Sequence, residues 1–133
     1  MKNNGFTLVE VIAIIVIIAI LALITVPIVD RIINEGREGT YESAVATILD
    51  AAYDYVQLKP SALPDSVDGA VSTFTLSDIK KEGLLKIELI NPKTKAQFSN
   101  TSIIRVTYYA EYTGAFTNKQ KAFGNYVFEF IES

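Results

Sequence analysis

A nearly unbroken apolar run close to the N-terminus is the feature that most restricts how this chain can fold. Of the 19 residues between Glu10 and Asp30, 17 are Ile, Val, Leu or Ala, and only Thr25 and Pro27 depart from this composition. Nineteen helical residues cover roughly the 30 Å hydrocarbon thickness of a bilayer. The 14 branched aliphatic residues favour insertion by about 4–8 kcal/mol in total. The run therefore predicts a transmembrane helix.

Two simpler interpretations compete for this run, a cleaved secretory signal peptide and a plain one-helix anchor. A secretory signal has an apolar core of about 7–15 residues followed by small residues at the cleavage site, and neither feature is present before Pro27. A plain anchor gives no reason for Glu10, because an unpaired carboxylate in lipid costs about 2.5–3.5 kcal/mol near the centre of the bilayer. Either Glu10 reaches the headgroups at the cytoplasmic rim, or it has a cationic partner.

The composition of the 133-residue chain excludes several function classes. It contains no cysteine and no histidine, so it has neither a thiolate nucleophile nor an imidazole base, and it lacks the usual zinc ligands. A formal net charge of −3 argues against a dedicated nucleic-acid binder. We identify no catalytic residue, metal site or cofactor, and we predict a protein that is not an enzyme.

The apolar pattern becomes amphipathic after Asp30. Apolar side chains recur at intervals of three and four residues, which places them on one face of a helix; they are Tyr41, Val45, Ile48, Ala52, Tyr55 and Val56. We predict one nearly continuous helix over residues 6–58, with a membrane half (6–29) and an amphipathic half (30–58). Pro60 stops it.

Three residues weaken the middle of this predicted helix. Pro27 lacks an amide proton and its ring crowds the carbonyl of Leu23, which costs about 3 kcal/mol. Gly36 and Gly39 are each about 1 kcal/mol poorer in a helix than alanine. One hypothesis is that residues 23–39 bend or melt when the helix leaves the bilayer. The alternative is a fixed, shallow kink.

Residues 59–133 predict a small α+β head. Turn-forming residues in 61–70 indicate a connecting loop, and residues 77–82 indicate a short capped helix with Gly83 beyond its end. Residues 84–90, 103–112 and 126–131 predict strands, with turns near Asn91–Pro92 and at 113–124. The predicted fold class is α+β, with the long N-terminal helix packed on an antiparallel sheet.

Other side-chain groupings have ordinary structural interpretations. Asp50 and Asp54 lie one helical turn apart but fit a solvated helix face better than an acid–base pair. Asp65 and Asp68 supply too few oxygens for a calcium loop. Residues 100–102 match the short glycosylation acceptor pattern. The aromatic residues of the last third resemble a stacking platform for single-stranded DNA, but alternation in strands accounts for them as core and sheet surface.

The charges divide unevenly along the chain. Residues 30–54 carry two arginines against six carboxylates, whereas residues 78–95 carry five lysines against three carboxylates. We hypothesise that the basic edge, including Lys80 and Lys81, faces an acidic helix shoulder, including Glu38 and Glu42, on a second copy of the chain. An ordinary mixed surface is the alternative.

The sequence Gly5-Phe6-Thr7-Leu8-Val9-Glu10 resembles the processing motif of the type IV pilin and pseudopilin family. The resemblance implies a leader at residues 1–5, cleavage between Gly5 and Phe6, and N-methylation of Phe6. Glycine suits the cleavage position because it lets a protease approach the backbone closely. The new amine of Phe6 is implied to pair with Glu10 of a neighbouring subunit. The absence of cysteine resembles the composition of the cysteine-poor pilins of clostridia and their relatives.

The resemblance also implies a life cycle and a set of partners. The chain would start as a single-pass cell-membrane protein with a cytoplasmic N-terminus and would be processed by a prepilin peptidase and methyltransferase. An inner-membrane platform and an assembly ATPase would then help to build an extracellular helical homo-oligomer that serves surface attachment or motility. Two alternatives remain open: a minor pilin or pseudopilin of a type II secretion or competence system, and a single-pass membrane-anchored accessory or binding protein.

Overall fold

The computed structural model describes residues 5–85, 89–112 and 114–133. A long helix is followed by a short 3₁₀ turn and then by four strands and a second helix. In chain order these elements are α1 (Leu8–Leu58), the 3₁₀ turn (Pro60–Ala62), β1 (Val71–Thr75), α2 (Leu76–Lys81), β2 (Ile103–Tyr108), β3 (Gln120–Phe123) and β4 (Tyr126–Ile131). The predicted α+β class is confirmed. The chain divides into two compact units, Met1–Gly36 and Arg37–Ser133.

The N-terminal unit consists mainly of the apolar half of α1. By length and composition this helix could cross a membrane, and none of its most apolar 18-residue window is buried within the protein. Pro27 lies inside the helix, and the Thr25 hydroxyl donates to the Leu21 carbonyl at 2.8 Å. That bond satisfies the hydroxyl without water, as a lipid environment requires. The apolar side chains of this unit are therefore available to lipid or to other helices.

In the C-terminal unit, β1 to β4 form one antiparallel sheet in the order β1-β2-β4-β3. β2 and β4 occupy the centre and pair over six residues, with Ile104 opposite Phe130 and Val106 opposite Phe128. The same four side chains are buried in the core. The two central strands thus supply much of the apolar face on which α1 packs.

The amphipathic half of α1 forms the other side of this core. Tyr41, Val45, Ile48, Ala52 and Val56 are each at most 2% exposed, and they belong to one cluster with the buried side chains of the sheet. The predicted apolar stripe is confirmed in that cluster. α1 ends at Leu58, and Pro60 begins the 3₁₀ turn, as the sequence predicts.

The second helix begins one residue earlier than predicted. Thr75 caps it: its hydroxyl accepts the amide of Asp78 at 3.3 Å, and the Asp78 carboxylate accepts the amide of Thr75 at 3.0 Å. This reciprocal pair satisfies two amides that a helix N-terminus leaves without backbone partners. Gly83 follows the C-terminal end with a φ of +70°, in agreement with its predicted position.

The strand predicted over residues 84–90 is wrong for the part that the structure describes. Residues 86–88 lie outside the described residues, and Leu84, Leu85 and Leu89 are not in a strand. These three leucines pack against the core from irregular backbone, so their apolar character reflects burial and not sheet pairing. Ile90 makes only an isolated bridge to Gln97, beside the predicted turn at Asn91.

The strand predicted over residues 103–112 is too long. β2 ends at Tyr108 because the next backbone groups bond to a loop and a turn instead of a strand. The amide of Tyr109 donates to the Asn125 carbonyl at 2.9 Å, and the amide of Ala110 donates to the Asp68 carboxylate at 3.1 Å. The strand predicted over 126–131 is confirmed as β4.

Two short strands were not predicted. β3 lies inside the segment 113–124, which the sequence predicted as a turn; Thr113 itself lies outside the described residues. β3 pairs with β4 across the two-residue turn Gly124-Asn125, in which Gly124 has a φ of +63°. β1 covers Val71–Thr75. Both are edge strands of four or five residues with partly exposed side chains, so their apolar patterns are too weak to recognise.

Replacement of Ile48 tests the packing of α1 on the sheet. Ile48 is fully buried, so Ile48→Ala should lower the free energy of unfolding of the C-terminal unit by about 2–5 kcal/mol through lost burial and a cavity. Denaturant unfolding of the full chain in detergent, followed by tyrosine circular dichroism, measures this loss. Thr47→Ala, on the exposed face one residue away, should change stability by no more than about 0.5 kcal/mol. Equal effects of the two substitutions would contradict the packing.

Candidate processing and assembly site

The bond between Gly5 and Phe6 lies in irregular, exposed backbone immediately before α1. The side chain of Phe6 is 75% exposed, and a Cβ atom built on Gly5 would meet no other atom within 4 Å. A protease needs extended, reachable backbone, which a helix does not provide. The geometry at Gly5 and Phe6 is therefore compatible with cleavage there.

Thr7 determines where the helix begins. The Thr7 hydroxyl accepts the amide of Glu10 at 3.2 Å, and the Thr7 carbonyl accepts the amide of Val11 at 3.1 Å. The first bond is the N-cap interaction typical of threonine followed three residues later by glutamate. α1 consequently starts at Leu8, two residues after the predicted start at Phe6, and the predicted cleavage bond between Gly5 and Phe6 lies outside the helix.

Glu10 lies in the first turn of α1, where a carboxylate interacts favourably with the positive end of the helix dipole. Its side chain is exposed and makes no ion pair or hydrogen bond with any other residue that the structure describes. Phe6 precedes the helix, and Glu10 lies four residues after Phe6. The two residues predicted to act in assembly are thus at the same end of α1, and the carboxylate is available to a cation from outside the chain.

The three predicted kink residues lie within continuous helix. Pro27, Gly36 and Gly39 all fall between Leu8 and Leu58, and the boundary between the two compact units follows Gly36. A Cβ atom on either glycine would meet nothing within 4 Å, so neither is required by close packing in the single subunit. Bending or melting of residues 23–39 in a filament stays a prediction.

The proposed docking carboxylates already have partners in their own chain. Lys93 Nζ lies 2.7 Å from Glu38 Oε2, and the Asn118 side-chain amide donates to both Glu38 and Glu42 at 3.3 Å. Lys93 belongs to the predicted basic edge. One contact between that edge and the acidic shoulder is therefore made within the subunit.

The docking lysines make other contacts. Lys80 and Lys81 lie in the last turn of α2, where cations interact favourably with the helix dipole. Lys80 Nζ donates to Asn100 Oδ1 at 2.7 Å. The predicted docking residues are accordingly distributed over α1 and α2; Glu38 and Glu42 share Asn118 as a partner, whereas Lys80 bonds to Asn100.

A polar network next to Glu38 joins α1 to the end of the chain. The Tyr41 hydroxyl donates to Glu132 Oε2 at 2.9 Å, and the buried Asn91 donates through Nδ2 to Glu132 Oε1 at 2.6 Å. Asn91 Oδ1 in turn accepts the amide of Lys93 at 2.9 Å. This network was not predicted from the sequence. A tyrosine on the apolar stripe was its signal, because a buried hydroxyl requires a hydrogen-bond partner.

This environment strongly favours the neutral form of Tyr41. Burial, then the hydrogen bond to Glu132 and the negative charges of Glu132 and Glu38, raise the pKa of Tyr41 from 10.0 to about 12. The ammonium of Lys93 lies 4.5 Å from the centre of the Tyr41 ring and that of Lys119 lies 5.5 Å from it. The ring therefore also contacts cations from two loops.

Two of the aspartates considered above, Asp50 and Asp68, have structural contacts. Asp50 pairs with Lys121 at 2.6 Å, and Asp68 accepts the backbone amide of Ala110, as a turn residue does. Within residues 5–85, 89–112 and 114–133, no group of three or more acidic side chains is arranged to hold a metal ion. Asn100, of the glycosylation pattern, lies exposed beside Lys80.

Comparison with protein families finds a known motif in the N-terminal segment. Residues 1–26 match the family model described as the prokaryotic N-terminal methylation motif. The match includes the predicted leader, the predicted processing bond and most of the apolar run, and it supports the prediction of a type IV pilin-like prepilin. The comparisons give no support to the expected similarity to clostridial pilins. Searches of curated proteins and of solved structures found no match.

The raised pKa of Tyr41 predicts a specific alkaline weakening of the C-terminal unit. Because the folded state holds this proton more tightly than the unfolded state, the stabilisation is complete below pH 10.0 and is lost as the pH rises toward about 12. Tyr41→Phe should lower the free energy of unfolding at neutral pH by about 1–3 kcal/mol, because it leaves Glu132 without this donor.

Denaturant unfolding at a series of pH values measures both effects. The difference between wild type and Tyr41→Phe should shrink above pH 10.0. Tyr109→Phe, a tyrosine outside this network, serves as the control and should leave the alkaline weakening in place. A constant difference between wild type and Tyr41→Phe across this pH range would contradict the assignment.

Proposed function

We propose that this type IV pilin-like chain is a structural subunit of a type IV pilus. The subunit is inserted in the cell membrane with its N-terminus in the cytoplasm, cleaved between Gly5 and Phe6, and methylated on Phe6 by a prepilin peptidase and methyltransferase. It then assembles through its apolar helix into an extracellular helical filament that serves surface attachment or motility. The proposal follows from the methylation motif together with the exposed apolar helix.

The lone carboxylate of Glu10 is the observation that carries the proposal. It adjoins the apolar run and has no partner within the part of the chain that the structure describes. Cleavage after Gly5 would create a positively charged amine on Phe6, and in a filament this amine would lie against Glu10 of a neighbouring subunit. A misplaced subunit would leave two uncompensated charges in an apolar surrounding, so the pair would define the register of packing.

Transfer of α1 from lipid to the filament requires an external source of energy. Lipid tails and neighbouring apolar helices surround the side chains of α1 with equally apolar groups, so the exchange yields little free energy from burial. Extraction would depend on an assembly ATPase and an inner-membrane platform, whereas the Phe6–Glu10 pair would select the correct position. The same requirement applies to minor pilins and pseudopilins, which share this N-terminal motif.

Intact mass of the surface protein is the first test. A pilin-type subunit should lack residues 1–5 and carry one additional methyl group on Phe6. A chain of full length with an unmodified N-terminus would instead identify a single-pass membrane-anchored accessory or binding protein. The ratio of this chain to other subunits in purified filaments then distinguishes a pilus subunit from a minor pilin or pseudopilin.

Glu10→Gln tests the role of the carboxylate directly. Removal of one member of a buried ion pair leaves an uncompensated charge and costs about 3–5 kcal/mol. We therefore expect normal membrane insertion and leader cleavage but a severe loss of surface filaments, measured by immunoblotting of sheared filaments. Glu111→Gln, the same change on the exposed surface of the head, should have no effect. Filament yield equal to wild type in Glu10→Gln would refute the assembly role.

We also propose that the basic edge of one head faces the acidic shoulder of its neighbour in the filament. Lys80 and Lys81 are the proposed donors, and Glu38 and Glu42 mark the shoulder. Since Glu38 already contacts Lys93, an intermolecular lysine would join a charge cluster that is partly neutralised. The lysine contact would therefore affect the rate and orientation of docking more than its affinity.

Charge reversal tests this docking. Lys80→Glu with Lys81→Glu should reduce filament yield most strongly at low ionic strength and should be partly rescued by added salt, which screens the new repulsion. Lys80→Ala with Lys81→Ala removes the charges without reversing them and should have a smaller effect. Unchanged yield in the reversed variant at low salt would exclude the docking role.

The bending hypothesis concerns the filament and not the single subunit, in which residues 23–39 are helical. Gly36→Ala with Gly39→Ala should stabilise this part of the helix by about 1 kcal/mol per site, and the structure has room for both methyl groups. If the segment melts on assembly, the double variant should form filaments that extend less under force. An unbroken helix across 23–39 in a wild-type filament map would eliminate melting.

A further inference from the structure

An open groove of about 570 Å³ lies on the C-terminal unit, near the end of α1 and the turn between β3 and β4. Tyr53 and Gln57 of α1 form part of its lining, and Tyr108, Phe123 and Tyr126 contribute further aromatic rings. Its volume falls within the range of small-molecule sites in proteins, about 300–1,000 Å³. None of these residues belongs to the network around Tyr41 or to the proposed Phe6–Glu10 pair.

The aromatic rings of the groove are held in place by one another. Tyr53 stacks on Phe123 with ring centres 4.2 Å apart and an interplanar angle of 13°, and Tyr108 meets Tyr126 edge to face at 5.2 Å. Such ring pairs contribute about 0.5–1.5 kcal/mol beyond their burial. The lining is therefore ordered before any ligand arrives, which lowers the entropic cost of binding.

The polar groups of the groove are neutral, and several are unused. The side chains of Tyr53, Gln57 and Tyr108 make no hydrogen bond to any residue that the structure describes. All three residues are partly or fully exposed, so their polar groups are accessible. Asn125 uses its amide nitrogen on the carbonyls of Tyr109 and Ala110, which leaves its carbonyl oxygen as an acceptor. The groove thus combines hydroxyl and amide groups with aromatic surface.

Among the described residues that line the groove, none has a charged side chain. The nearby Lys121 is paired with Asp50 at 2.6 Å, and its ammonium lies 5.2 Å from the centre of the Phe123 ring. Sites for single-stranded nucleic acid combine stacking rings with a positively charged path for the backbone, and this path is absent from the lining. The charge distribution therefore selects a neutral ligand that carries both hydrogen-bonding groups and an apolar face.

We propose that this groove binds a neutral carbohydrate. A pyranose ring presents axial C–H groups on one face, which pack on aromatic rings, and hydroxyl groups at its edge, which Gln57, Asn125 and the tyrosine hydroxyls are suited to bond. Two linked sugar units match the size of the groove. The proposal does not depend on assembly into a pilus, because every lining residue belongs to one subunit.

Titration of the isotope-labelled full chain, in a detergent without a sugar headgroup, tests the site by nuclear magnetic resonance. The probes are lactose, maltose, cellobiose and N,N′-diacetylchitobiose, with oligothymidylate as the nucleic-acid comparison. At least one disaccharide should cause saturable shifts at the amides of Gln57, Gly124 and Asn125. The proposal would be overturned if none of the four sugars caused shifts at these amides. It would also be overturned if only oligothymidylate caused shifts there.

A pair of variants links the binding to the groove. Gln57→Ala removes one exposed neutral hydrogen-bonding group and should weaken disaccharide binding about two- to tenfold. Asn100→Ala removes an exposed amide that is not part of the lining and should leave the affinity unchanged. Equal affinities of the two variants would also overturn the site. Because the chain is unassembled in this experiment, its outcome is independent of filament formation.

Discussion

One helix has to satisfy two different surroundings, and the rest of the structure depends on how α1 does so. Its first half exposes almost only aliphatic side chains, which are stable in lipid or against other helices. Its second half buries one stripe, centred on Val45 and Ile48, against a sheet and leaves the opposite face polar. Because a helix satisfies its own backbone hydrogen bonds, the same element can serve in both environments.

The junction between α1 and the head is held by a combination of apolar and polar contacts. The stripe provides burial, which is non-directional and does not by itself specify rotation or register. The bonds of Tyr41 to Glu132 and of Lys93 to Glu38 are directional, and they bring the C-terminal segment and the loop after Asn91 against one short stretch of helix. Loss of either polar partner would leave a charged or buried group unsatisfied, so this region has few alternative arrangements.

Prediction from the sequence succeeded where the periodic signal was long and failed where it was short. The stripe on α1 extends over several turns, and β4 is a six-residue run of apolar and aromatic residues interrupted only by Glu129, so both were recognised. β1 and β3 are short edge strands with exposed positions; β1 pairs with the distant β2, whereas β3 pairs with β4 across a two-residue turn. The leucines at 84, 85 and 89 gave a misleading signal, since burial against a core does not require strand geometry.

By itself the sequence determined the processing motif, the membrane-compatible helix, its end before Pro60 and the α+β class, because these depend on local chemistry and on hydrophobic patterns within one element. The motif around Gly5, Phe6 and Glu10 was recognisable without any contact. Only the tertiary structure decided the strand order β1-β2-β4-β3, the partners of Tyr41 and Glu38, and the neutral aromatic groove. These features join residues up to 91 positions apart, and no local pattern records which distant group completes a hydrogen bond or a ring pair.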